Sequence, residues 1–229
     1  MLKSNQSLAI LLFARTAEKQ SAAKLLSHDT DSNFQIHSAF HERAFDIASE
    51  SGFPVFHHDE TLQFGNTFGE RLSNSIASVF NQGYEKVIVL GDDCPNLSVG
   101  DVDQASSLLE ENQMVLGPDE RGGAFLIGLS QSAFDWEEIS RLPWQSNQLL
   151  TSFEKLVIAS NQSLALISTK FDINTEEDLI LHVDDSFFLR KLLRLISLHS
   201  QSFPYFCIAL YILHLIDLSS RRRGPPLRR

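Results

Sequence analysis

The stretch Lys86-Val87-Ile88-Val89-Leu90-Gly91-Asp92-Asp93-Cys94-Pro95-Asn96-Leu97 constrains the fold more than any other part of the chain. Four apolar, mostly β-branched residues run without a break, the pattern of a strand buried on both faces of a parallel sheet. The strand stops at Gly91, two carboxylates follow at once, and Pro95 blocks its continuation. In an open α/β sheet, ligands bind in the crevice beyond the carboxyl ends of the strands. An acid in that crevice suits Mg²⁺ or Mn²⁺, which neutralise phosphate. The same residues also read as an ordinary turn with solvated acids, because Gly, Asp, Asn and Pro all favour turns.

Strand and helix patterns alternate around this segment. Leu8–Phe13 is an apolar strand candidate, and the residues from Phe13 to Leu26 read as a loop. Helices are expected over residues 34–51, 68–81, 99–111 and 147–159. Further strands fall over 54–56, 114–116, 124–129 and 164–168. Such alternation marks a mostly parallel sheet with helices on both faces. Asn174 or Thr175 then caps a helix that opens on Glu176, Glu177 and Asp178. Just before that cap, Asp172 and Asn174 point the same way if the backbone is extended. Should their loop share a sheet edge with Asp93, the two loops face one metal from opposite sides. The competing reading is a capping box that binds nothing.

Composition narrows the class. With 229 residues, 43% of them hydrophobic and 21% charged, the chain can bury the core of one ordinary domain. A formal net charge of -10 makes nucleic acid an unexpected partner. Cys94 and Cys207 give no disulfide framework and fit a reducing cytoplasm, and no signal-peptide pattern precedes the first strand. Beyond about residue 184 the pattern becomes helical, with Phe187, Phe188, Leu189, Leu192, Leu193 and Ile196 able to line one side. Residues 203–218 are strongly apolar yet fall short of the about 20 residues a spanning helix needs. Residues 221–229 form a basic tail. A division into a domain over 1–183 and a helical extension over 184–229 follows. The extension is expected to pack on the domain or at a subunit contact, with a membrane-surface anchor as the second reading. The oligomeric state is not set by the sequence.

Several motifs agree in order and spacing: Gly69-Glu70-Arg71-Leu72, Gly91 to Leu97, Leu116-Gly117-Pro118, Gly122 to Leu129, Pro143-Trp144 and Asp172 to Leu179. Together they resemble a bacterial family of unknown function in the glycosyltransferase-A-like, nucleotide-diphospho-sugar transferase superfamily, some of whose members are assigned as glycosyltransferases of arsenosugar biosynthesis. Relatives include nucleotidylyltransferases of molybdenum-cofactor dinucleotides and phospholactate guanylyltransferases. The resemblance spans residues 8–181. It implies a Rossmann-like three-layer α/β/α sandwich that binds a nucleotide at its first strand. It also implies Mg²⁺ or Mn²⁺ on Asp93, with Asp172 and Asn174 opposite. Nucleotide or substrate contacts are implied at Phe13, Ala14, Arg15, Lys24, Arg71, Arg121, Gly122 and Gly123.

The chain also departs from the family. The first strand of relatives leads into Pro, Gly and then Lys-Thr-Arg-Leu, a loop that holds phosphate. Here the glycine and arginine are gone, although Arg15, Lys19 and Lys24 keep positive charge nearby. A cradle of backbone N–H groups needs glycine's freedom. Arg121 replaces the usual Asp before the paired glycines, and reads either as a diphosphate contact or as a surface arginine. Gly122-Gly123 either admits a ligand to the backbone or makes a bulge. Asn174 stands where many members carry Asp. Trp144 reads as an acceptor-pocket cover or as a core anchor, His57-His58 as loop histidines, and Cys94 as a packed thiol.

The expected function is a metal-dependent, glycosyltransferase-like transfer from a nucleotide-activated sugar, in a cytoplasmic protein. The alternatives are nucleotidyl transfer, disfavoured by the altered first loop, and a non-catalytic nucleotide-binding or interaction module.

Overall fold

The computed structural model describes residues 7–199; the apolar segment 203–218 and the basic tail lie outside the described residues. Six strands form one sheet: β1 (Leu8–Phe13), β2 (Val55–His58), β3 (Lys86–Leu90), β4 (Met114–Pro118), β5 (Ala124–Ser130) and β6 (Leu164–Leu166). Their spatial order is β2-β1-β3-β5-β4-β6. β2, β1 and β3 pair in parallel, as do β4 and β6, while β5 runs antiparallel to both β3 and β4. The sheet is therefore mostly parallel, as expected, with one reversed strand at its centre. That reversal has a consequence for the site. The carboxyl ends of β1, β3, β4 and β6 and the amino end of β5 all open at one edge.

Helices cover both faces. On one side Leu8, Ile10 and Leu12 of β1 pack with Ala44, Ile47 and Ala48 of α2 (Thr30–Glu50) and Val102 and Ala105 of α4 (Val99–Leu108). On the other, Ala9, Leu11 and Phe13 meet Leu72, Ile76 and Val79 of α3 (Phe68–Phe80) and Phe153 of α6 (Leu149–Ala159). Alternate β1 residues thus feed opposite layers, and the strand is buried along its whole length. The result is the three-layer α/β/α sandwich.

Two helices were not legible in the sequence pattern. α1 (Ala17–Ala23) occupies what reads as a loop, and α5 (Trp136–Ser140) follows β5. Neither has an apolar stripe long enough to signal a helix, and α1 buries none of its residues. α1 is instead fixed at its ends. The Thr16 side chain caps it by accepting from Lys19 N–H, and Glu60 in turn accepts from Thr16 N–H at 2.9 Å and its hydroxyl at 3.0 Å. β2 extends to His58, so His57 and His58 belong to a strand paired with Leu12 and Phe13 and not to a loop.

α7 (Glu176–His182) starts with the expected capping box, Thr175 at the cap and Asp178 closing it. The following helix α8 (Phe187–His199) buries Leu189, Leu192, Leu193 and Ile196 in a third cluster with Leu26, Ile36, Phe40, Phe171, Ile173 and Leu179. The described part of the extension therefore packs on the domain. No helix among the described residues is long and apolar enough to cross a membrane.

Candidate functional site

At the open edge of the sheet lies a cavity of about 740 Å³. Four loops wall it. After β1 come Phe13, Ala14 and Arg15; after β3, Gly91, Asp92 and Asp93; between β4 and β5, Asp119, Arg121 and Gly123; after β6, Asp172 and Asn174. The two acidic turns touch through the backbone, Ile173 N–H donating to Asp93 O at 2.9 Å. The structure thus brings together Asp93, Asp172 and Asn174, along with Phe13, Ala14, Arg15, Lys24, Arg71, Arg121 and Gly123. Gly122 sits in the same turn but is not on the cavity wall.

The turn after β3 is held rigidly. Arg43 of α2 donates to the carbonyls of Pro95 at 3.1 Å and Leu97 at 2.9 Å. Lys170 donates to Asn96 O at 2.8 Å and pairs with Asp101 at 3.0 Å. Buried carbonyls in an irregular loop need donors, and these two cations supply them. Asp93 therefore projects from a fixed backbone. Cys94 beside it is buried, and burial pushes its thiol far up, so it is packed and inert.

Among the described residues, Asp172 is the least comfortable carboxylate. Its Oδ1 is buried with no hydrogen-bond partner among the described residues. Burial first, then the neighbouring Asp93 and Asp119 carboxylates, push its carboxyl well above the ordinary range. Asp119 was not singled out from sequence. Its Oδ1 accepts from the N–H groups of Arg121 and Gly123, both at 2.7 Å, which folds the turn and leaves the side chain at the cavity. The signal available was a turn-forming Asp four residues before a glycine. Across from Asp93, the Lys24 ammonium lies 3.1 Å from Oδ2, with the lysine side chain 15% exposed.

Behind the site, His41 Nδ1 stands 3.5 Å from Asp92 Oδ2, too long for a strong hydrogen bond but close enough for charge attraction. Asp92 raises the affinity of His41 for its proton, while burial lowers that of His57, whose ring is 4.8 Å from that of His41.

Arg121 is half exposed and lines the cavity, but its charge is engaged. Its guanidinium forms a two-pronged pair with the buried Asp178, one arm at 3.0 Å and the other between Nη2 and Oδ1. The paired glycines serve internal packing. Gly122 has φ +86°, and a Cβ there would strike Asn147 O; a Cβ on Gly123 would strike the Asp119 carboxylate. Trp144 lines the cavity and packs against Phe68 and Phe153, its indole N–H donating to Ile139 O at 2.8 Å.

Among the described residues no group of three or more His, Cys, Asp or Glu is arranged to hold a metal ion. The donors of Asp93, Asp172 and Asn174 are nonetheless hard oxygens. The orphaned Asp172 Oδ1 and the lysine drawn onto Asp93 both register a demand for positive charge. That chemistry fits a cation such as Mg²⁺, which takes one or two carboxylates and completes its shell with phosphate and water.

Comparison with curated proteins finds no match. Among solved structures, one from Desulfovibrio desulfuricans G20, described as a "putative nucleotide-diphospho-sugar transferase", is 20% identical and superposes with a TM-score of 0.71 over 83% of this chain and 94% of that one. Rv0371c from Mycobacterium tuberculosis H37Rv gives 0.47 at 11% identity, over 77% of this chain and 96% of that one. Its complex with manganese gives 0.46 at 13%, over 75% and 95%. The first of these shows that the two chains share a fold. Residues 48–146, from the last turn of α2 to the loop before α6, match the model of a family described as uncharacterized protein conserved in bacteria, DUF2064.

Proposed function

We propose that the cavity binds a nucleotide-activated sugar and that the chain transfers the sugar to an acceptor. One observation carries this reading: two acidic turns far apart in sequence, joined by the 2.9 Å bond from Ile173 to Asp93, open together on a cavity large enough for a nucleotide sugar. The diphosphate would lie between Asp93, Asp172 and Asn174 on one side and the cations Arg15 and Arg71 on the other. Phe13, Phe68 and Trp144 give that wall apolar area for a base or a sugar face. A divalent cation held by Asp93 and Asp172, with Asn174 beside them, would offset the charge that grows on the departing nucleoside diphosphate. The working unit is the 1–183 domain, extended by α8.

Nucleotidyl transfer draws on the same acids but depends more on a phosphate-cradling first loop. In this chain that region is helix α1, with no glycine. The test is a thermal-shift panel of nucleoside diphosphates, nucleotide sugars and nucleoside triphosphates, each with Mg²⁺ or Mn²⁺. Stabilisation by a diphosphate or nucleotide sugar that requires the metal and disappears in Asp93→Ala is the expected result. Pyrophosphate released from a triphosphate would move the assignment to nucleotidyl transfer. No response to any nucleotide with either metal would leave a non-catalytic module.

A further inference from the structure

Lys24 is built differently from the other cations at the cavity. Its backbone is clamped. Lys24 N–H donates to Gln20 O at 2.8 Å and closes α1, while its carbonyl receives Asn33 Nδ2 at 3.2 Å and His37 Nε2 at 2.9 Å from α2. Asn33 is itself buried and also accepts from the N–H groups of Leu26 and Ser27, at 2.7 and 3.2 Å. The chain on both sides of Lys24 is thus pinned to α2. Its four-carbon stem then carries one compact charge to Asp93 Oδ2 at 3.1 Å. The same ammonium acts on Asp172, favouring its charged form against burial and the pressure of Asp93 and Asp119. Lys24 is therefore the cation that offsets two adjacent carboxylates where divalent-ion ligands are expected.

We propose that Lys24 is a tethered counter-cation that occupies the Asp93–Asp172 position in the ligand-free protein and must withdraw before a divalent ion can bind there. A fixed backbone with a mobile terminal charge suits that exchange, since the ammonium can swing about its stem without disturbing α1 or α2. Two cations cannot share the position at the separation of an ion pair, because at equal distance a divalent ion repels the ammonium about twice as strongly as one carboxylate attracts it. Freed from Asp93, the ammonium remains beside the cavity, near any phosphate that arrives with the ion. The inference rests on reading Asp93 and Asp172 as cation ligands.

The test measures Mn²⁺ binding to the full chain without nucleotide, by titration calorimetry and by the electron paramagnetic resonance signal of free Mn²⁺. Lys24→Met is expected to bind Mn²⁺ at least tenfold tighter than the wild type, and to melt lower than the wild type without metal but not with it. Lys24→Arg, which keeps the charge, is expected to stay near the wild-type affinity. Lys24→Met/Asp93→Asn should lose the gain. If Lys24→Met fails to fold, Lys24→Gln takes its place. Equal or weaker Mn²⁺ binding in the neutral variant, or equally tight binding in Lys24→Arg, overturns the proposal. Should the neutral variant gain Mn²⁺ while no nucleotide stabilises any form, the counter-cation stands and the transferase reading falls. Nucleotide stabilisation that depends on Asp93, without any gain of Mn²⁺ in Lys24→Met, has the opposite meaning.

Discussion

At the scale of single residues, the site trades stability for charge. Asp172 is buried beside Asp93 and Asp119, and its carboxyl sits well above its ordinary value of 3.8. A carboxyl whose folded value is raised costs nothing below its unfolded pKa and costs most once the pH exceeds the folded one. Stability contributed at this position therefore falls as the pH climbs from about 4. Asp172→Asn keeps the shape and removes the charge, so it should melt higher than the wild type at pH 7.5. The gain expected from removing the charge of this buried carboxylate is about 1–3 kcal/mol, or roughly 2–4 °C per kcal/mol for a chain of this size. At pH 4 the two melting curves should converge. The same variant should lose Mn²⁺ binding, a combination expected of a functional carboxylate and not of a structural one. Asp93 was legible in the sequence because an acid directly after an apolar strand falls at the binding edge of an α/β sheet, and Asp172 and Asn174 because their spacing and the family resemblance set them opposite it. Asp119 was not, because its placement depends on a turn that its own side chain folds. Nor was the partner of Arg121, since a pairing 57 residues away leaves no local trace.

That pairing is the side-chain tie that supplements the backbone bridge between Asp119 and Lys170 at the cavity. Asp178 closes the capping box of α7, accepting from the N–H groups of Asn174 at 2.8 Å and Thr175 at 2.9 Å. Arg121 locks it from the turn between β4 and β5, so the two turns that carry Asp119 and Asp172 are fastened to one another. Burial alone would raise the Asp178 carboxyl, but the Arg121 guanidinium and the two backbone donors hold it below 3.8. A depressed carboxylate contributes stability above its unfolded pKa and loses it as the pH falls through the folded one. Arg121→Ala strands a carboxylate that is only 5% exposed, while the arginine itself is 53% exposed and partly screened. A cost of about 1–2 kcal/mol is expected at pH 7. In thermal melts the gap to the wild type should close as the pH drops below 3.8. A gap that stayed constant with pH would mean that Arg121 acts through packing alone. The alternation of strands and helices and the helix layers, by contrast, followed from apolar periodicity; α3 was predicted nearly at its true ends, whereas α2 starts at Thr30, four residues before the expected start at 34, and the spatial strand order was not foreseen. Helix α1 escaped because a short helix held by its caps, with no buried face, has no periodic signal.

Over the whole molecule, the boundary drawn at residue 184 marks a change of composition and not a gap in the core. Leu189, Leu192, Leu193 and Ile196 of α8 share one cluster with Leu26, two residues from Lys24, and with Ile173, between Asp172 and Asn174. The helix beyond the sandwich is thus the floor under both the lysine and the second acidic turn. Composition could not reveal this, because an amphipathic helix looks the same whether it covers its own domain or a partner. Leu193 is 2% exposed, and Leu193→Ala should cost about 2–4 kcal/mol through lost burial and the cavity left behind. Were residues 184–199 a separate unit, that loss would appear as an early, separate melting step and leave the site unchanged. Packing into a shared cluster requires one cooperative transition at a lower Tm. It also requires faster hydrogen exchange at the amides of 171–179, including the Ile173 N–H bonded to Asp93 O, in step with those of α8. Exchange that quickens in α8 while residues 171–179 keep wild-type protection would show that the helix does not support the site.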